Sequence, residues 1–255
     1  MKTIIFVLAI VSLAAAQQPA IRKDRQVLFD FRPNHEMAPG KIPPATERMV
    51  LSKVFRKYLT DANRCNSQFD AGDNLDPLAA ARKAGQIVPS IVDMENGSFT
   101  AAGQSQTLYV IFVSECNASH ADNFGSKRVA IFSGQQLVAD VDADSKSDIV
   151  RKTDLDSDGI DELLMSSSYM GQGTLVQMAT LASFPNGRRR VIEDFGSVVE
   201  DSCASGFPGS ASQASVLYIS DVVPGNMPKL TQENYSASCR RMKRWQLVST
   251  GKRDQ

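Results

Sequence analysis

The sequence predicts a mainly β fold with N-terminal helices, an α+β chain whose larger part is an antiparallel β-rich domain. Three observations predict it. Apolar residues recur at helical spacing between 45 and 62; beyond Gly97 eight short runs are rich in β-branched and aromatic residues; and the links between those runs are too short for intervening helices. The composition of the 255 residues, 42% hydrophobic and 22% charged, is that of a globular chain and excludes wholesale disorder, a collagen-like repeat or a fibrous coiled coil. With 28 basic and 28 acidic residues the chain has no surplus of cations for neutralising phosphates, which argues against a nucleic-acid binder.

In chain order, residues 1–16 read MKTIIFVLAIVSLAAA, one lysine followed by an apolar run and small residues. That run is too short to span a bilayer stably and its end suits a signal peptidase, so it reads as a cleaved signal peptide. No second long apolar stretch follows, and the chain reads as exported, either secreted or periplasmic, with no transmembrane segment once the signal is gone. Residues 17–44 are polar and carry Pro33, Pro39, Gly40, Pro43 and Pro44, an irregular lead-in with room for one edge strand at Val27 to Phe31.

Residues 45–96 form the predicted helical segment. Leu51, Val54, Phe55, Tyr58, Leu59 and Ala62 fall on one helical face with charged residues between them. A second helix follows, in which Asp76 suits the cap, Pro77 the first turn and Gly85 the terminator. Residues 97–249 form the predicted β-rich domain, with strands at 107–113, 128–132, 136–141, 162–165, 174–183, 190–194, 215–219 and 244–249. The Asn186-Gly187 pair is the clearest hairpin signal, because both residues tolerate positive φ. Residues 250–255 are a basic tail.

Four cysteines in an oxidising compartment favour two disulfides over metal ligation, since Cys65, Cys116, Cys203 and Cys239 show no C-x-x-C spacing. Three pairings are open, and locality favours Cys65 with Cys116 and Cys203 with Cys239. Asn96, Asn117 and Asn234 each open an N-x-S triplet, which matters only in a source that glycosylates.

The densest chemistry lies at residues 154–164, DLDSDGIDELL. Asp154, Asp156 and Asp158 occupy alternate positions, Gly159 permits a sharp turn, the carbonyl of Ile160 is available, and Glu162 comes ninth. So many like charges in one tight turn are unfavourable unless a cation compensates, and an all-oxygen ligand set suits a hard ion, namely calcium. An EF-hand is excluded because its twelfth position, a bidentate acid, is here Met165, and residues 162–165 enter a strand directly.

This loop running into a strand resembles the calcium loops of FG-GAP and VCBS repeats, the blade-forming units of integrin-type β-propellers. The resemblance covers about eleven residues. It implies that Asp154, Asp156, Asp158 and Glu162, with the carbonyl of Ile160, ligate calcium, and that the domain contains a blade-like unit. A fainter copy lies upstream, where residues 140–150 read DVDADSKSDIV: Asp140, Asp142, Asp144 and Asp148 take the same places, but Ser145 stands where glycine belongs. A non-glycine residue in a left-handed turn costs about 1 kcal/mol, so this copy is either distorted or not a site. A chain of this size with a helical first third cannot supply the six or seven four-stranded blades of a full propeller.

The catalytic inventory is thin. His120 lies among Glu115, Ser119 and Asp122, but neighbours in sequence rarely form a triad. His35 lacks the second histidine of a zinc-protease motif, and no G-x-S-x-G elbow occurs. Residues 169–174 read as a hairpin connection, and Trp245 as part of a closing strand with solvated charges around it. The preferred reading is a calcium-stabilised binding or structural protein with an unidentified protein or glycan partner, more a binding module than an enzyme. The rival reading is a secreted hydrolase with a site near His120.

Overall fold

A computed structural model of the chain describes residues 24–33, 41–60, 65–66, 77–116, 126–146, 148–239 and 244–252. It is mainly β: twelve strands and two short α-helices among the described residues, with every strand pairing antiparallel. The described residues form no full propeller.

A four-stranded sheet has the order β2 (Ile87–Gly97), β3 (Gln106–Glu115), β4 (Ser126–Ser133), β5 (Gln136–Asp142). An eight-stranded sheet, curled into half a barrel, runs β12 (Gln246–Thr250), β11 (Lys229–Ser238), β10 (Ala211–Ser220), β9 (Arg190–Asp201), β8 (Thr174–Ser183), β7 (Glu162–Gly171), β6 (Asp148–Thr153). β1 (Gln26–Asp30) is its eighth member. β9 pairs with β10 only at residues 212–214, and β1 takes residues 216–219 of β10 instead.

Alternation along the strands sorts the core into layers. In β3, Tyr109, Ile111 and Val113 face a first core shared with helices α1 (Pro44–Val54) and α2 (Pro77–Ala84), while Leu108 and Val110 face a second core against the large sheet. β7 divides in the same way: Leu163 and Met165 enter the second core, and Leu164 enters a third, inside the half-barrel with Leu28, Leu181, Phe195 and Leu217. Strands buried on both faces read as continuous apolar runs, and so β3, β4, β7 and β8 were legible in sequence.

Other elements differ from expectation. The helical segment expected over residues 45–96 reduces to α1 and α2. α1 stops at Val54, because Phe55 turns extended at φ −120° and buries its ring in the first core. From there the chain runs beside β2, and the Leu59 N–H donates to the Ile87 carbonyl at 2.8 Å. Residues 87–96, expected in the helical segment, belong to strand β2: it lies at the sheet edge, where Pro89 costs no ladder bond that an inner strand would need. β6 and β11 were also unread. α2 ends as expected on Gly85, at φ +74°. Asp76 and residues 1–16 lie outside the described residues, as do His35, Asn117, His120 and 253–255.

The two disulfides are Cys65–Cys116 and Cys203–Cys239, the pairing that locality favours. The turn at Asn186 and Gly187 has φ of +54° and +72° and joins β8 to β9. Residues 172 and 173 make the hairpin between β7 and β8, again with positive φ at both. No helix among the described residues is long and apolar enough to cross a membrane.

Candidate metal centre

The acidic loop is the connection of the β6–β7 hairpin, in which Thr153 pairs with Glu162. Both of its ends are anchored. β7 is buried on two faces from its first residues, which sinks Glu162 to 3% exposure, and Leu155 inserts into the third core at 4%. Neighbouring loops clamp the middle. The Ser98 N–H donates to the Asp161 carboxylate, and the Asp161 N–H donates to the Ser98 carbonyl, both at 2.7 Å. The Gly225 N–H donates to the Asp156 carbonyl at 2.5 Å.

Within the loop, backbone amides orient the carboxylates. Asp154 accepts from the N–H groups of Asp158 and Gly159, each at 3.1 Å, and Asp156 accepts from that of Asp158 at 3.3 Å. The turn needs left-handed backbone at Ser157 and Gly159, with φ +60° and +83°. Glycine is required at 159 on two counts, its φ and the 2.8 Å that a Cβ there would leave to the Cβ of Ala102.

Three of the predicted ligands converge. Asp154, Asp156 and Glu162 each offer a carboxylate oxygen, and these oxygens lie within 4.8 Å of one another. Asp158 stands outside that group, its carboxylate accepting from the Ile160 N–H at 2.7 Å. Burial pushes the Glu162 carboxyl up to about 7, the bond from the Leu155 N–H pulls the other way, and the charges of Asp156, Asp158 and Asp154 add to the rise. Burial and the same neighbours raise Asp156 as well. Among the described residues Glu162 has no cationic partner: its hydrogen bond comes from the Leu155 N–H at 2.8 Å. A carboxylate so placed, in range of two others, is relieved by a proton or by a divalent cation taking oxygens from all three, and the cluster could hold such an ion.

The upstream copy is organised otherwise. Asp140 lies in β5 and is held by Arg128 at 2.6 Å and Arg82 at 3.2 Å, and Asp144 pairs with Arg189 at 3.1 Å. Ser145 does adopt the left-handed backbone, at φ +63°. Of the cations nearby in sequence, Arg151 donates to the Leu28 carbonyl and Lys152 pairs with Glu95. Two of the four aspartates of this copy, Asp140 and Asp144, are therefore neutralised by arginines.

Sequence reading missed Asp161 and Leu155, which hold the loop rather than furnish ligands; the apolar residue inside an acidic run was the one available signal for Leu155. Of the N-x-S asparagines, Asn96 is exposed and Asn234 is 1% exposed. The chain matches no family model, no curated protein and no solved structure.

Proposed function

We propose that the chain is an exported β-rich binding or structural protein in which Asp154, Asp156, Asp158, the Ile160 carbonyl and Glu162 hold a calcium ion that rigidifies the β6–β7 loop. The observation that carries this reading is the convergence of three carboxylates within 4.8 Å, one of them Glu162, buried and without a cationic partner among the described residues. Calcium is favoured over softer metals because the donors are all oxygens and no histidine or cysteine belongs to the group.

The FG-GAP and VCBS resemblance gains support from the connection itself, a loop passing straight into a doubly buried strand. On this reading one blade-like hairpin is embedded in a different β architecture. Export is supported by two disulfides and by the absence of a membrane-crossing helix among the described residues. The partner class is a protein or a glycan, and the ion shapes the loop rather than performing a reaction.

Thermal melting with EDTA and with saturating calcium tests the reading. A ligand at a hundred times its Kd stabilises by about 2.7 kcal/mol, which for a chain of this size is a rise of about 5 to 10 °C. Asp156→Ala should abolish the rise. Identical melts in the two buffers would refute it.

A further inference from the structure

A second charged feature lies across the molecule's sequence from the acidic loop, at the two helices. Segments 41–60 and 77–85 carry seven basic residues and a single acid, Glu47, and the stretch between them, residues 61–76, adds Arg64, Asp61, Asp70, Asp73 and Asp76. They enclose a cleft of about 450 Å³ lined by Val54, Arg56, Lys57, Ala79, Arg82 and Lys83. Arg56, Lys57 and Lys83 are exposed and have no acidic partner among the described residues. Arg82 is held in place: its guanidinium donates to the Val54 carbonyl at 3.0 Å, meets Asp140 at 3.2 Å and lies 4.8 Å from the centre of the Phe55 ring.

The cleft continues into a second cavity of about 230 Å³ that shares Ala79 and Arg82 and is lined also by Ser126, Arg128 and Asp142. Among the described residues the Ser126 hydroxyl, at the wall of this cavity, is a buried polar atom with no hydrogen-bond partner.

We propose that this cleft binds a sulfated glycan. Guanidinium forks and ammonium groups suit tetrahedral oxyanions, and the apolar wall of Val54 and Ala79 between them suits the C–H face of a sugar ring. The C-terminal end of α2 carries only about half a negative elementary charge, small beside the three unpaired positive ones of Arg56, Lys57 and Lys83. Of the two acids nearby, Asp140 is paired with two arginines, while Asp142 accepts from the Asp144 N–H, keeps its charge and lines the second cavity rather than the first. A glycan rather than a nucleic acid is the polyanion that an exported chain meets, and that part of the inference rests on the export reading.

The test is calorimetric titration of the full chain, with residues 61–76 present, against a heparin tetrasaccharide. Neutralising the cleft with Arg56→Gln, Lys57→Gln and Lys83→Gln together is expected to weaken binding at least about tenfold with an unchanged melting temperature. Removing as much charge elsewhere, with Arg188→Gln, Arg190→Gln and Lys229→Gln, is expected to change it less than about twofold. Equal weakening by both sets would overturn the proposal, as would no binding at all. Inorganic sulfate or single-stranded DNA binding as tightly as the tetrasaccharide would overturn the assignment of the glycan. EDTA should leave the binding unchanged, so failure here and failure of the calcium reading appear in different experiments.

Discussion

The backbone N–H of Leu155 donates to the buried carboxylate of Glu162 across 2.8 Å, closing the acidic loop on itself. The side chain of Leu155 is meanwhile fixed in the third core, so one residue anchors the loop through both its apolar and its polar half. Glu162→Gln retains an acceptor for that N–H and removes the charge. The metal-free protein should then be as stable as the parent or more so, by about 1 to 2 kcal/mol, and calcium should no longer raise its melting temperature. Glu162→Ala leaves the N–H unpaired and should cost about 1 to 3 kcal/mol in EDTA. Melting both variants in both buffers checks the pair.

The raised Glu162 carboxyl predicts an unusual pH dependence. Its pKa rises from 4.5 to about 7 on folding, so between those values the folded, metal-free chain binds the proton more tightly than the unfolded one. Stability in EDTA should therefore fall as pH increases through that window, by about 1 to 3 kcal/mol, with the upward shift of Asp156 acting in the same sense. Calcium needs the deprotonated carboxylates, and its stabilising effect should grow over the same range. Denaturant midpoints at several pH values, with and without EDTA, measure both trends; a midpoint rising with pH in EDTA would contradict the environment assigned to Glu162.

Gly159→Ala combines a left-handed φ of +83° with a 2.8 Å approach to the Cβ of Ala102. The two penalties together should cost about 1 to 3 kcal/mol. Adding Ala102→Gly should recover the steric part and leave the backbone part, so the double variant is expected between the parent and the single variant in a denaturant titration.

Asn234 sits in a buried polar network. Its carbonyl oxygen accepts from the Ser215 hydroxyl at 2.8 Å and the Gln232 amide at 3.0 Å, and its own amide donates to the Ser249 hydroxyl at 3.0 Å and the Gly251 carbonyl at 2.8 Å. These bonds fasten β12 to β11. Asn234→Ala should cost about 2 to 4 kcal/mol and speed amide exchange in β12 ahead of the rest of the sheet. The same burial leaves no room for a glycan on Asn234 in the folded protein, while Asn96 is accessible.

What was legible in the sequence follows from where the apolar side chains point. β8 runs over Thr174–Ser183, the limits expected of it, because turns at residues 172–173 and 185–187 bound it and Ala179, Leu181 and Ala182 pack on both of its faces. β11 was unreadable because its inward residues include Gln232 and Asn234, whose burial depends on partners in β10 and β12 that no local pattern reveals. β2 was obscured by Pro89, Asp93 and Glu95, tolerable on an edge strand. Asp93 is itself used between sheets, its carboxylate accepting from the Ile149 N–H at 2.7 Å.

The candidate site shows the same division. The spacing placed Asp154, Asp156, Asp158 and Glu162 in one set, of which Asp154, Asp156 and Glu162 converge, while the Asp158 carboxylate accepts from the Ile160 N–H instead. The arginines that neutralise Asp140 stand 58 and 12 residues away in sequence, and only the fold distinguishes its spent aspartates from the unspent ones downstream.

The most direct measurement is a high-resolution crystal structure grown in calcium, with anomalous scattering recorded at the β6–β7 loop. An ion bound by oxygens of Asp154, Asp156, Asp158, Glu162 and the Ile160 carbonyl, at about 2.3 to 2.6 Å, is the predicted result. Density for water alone, or carboxylates turned outward into solvent, would contradict it.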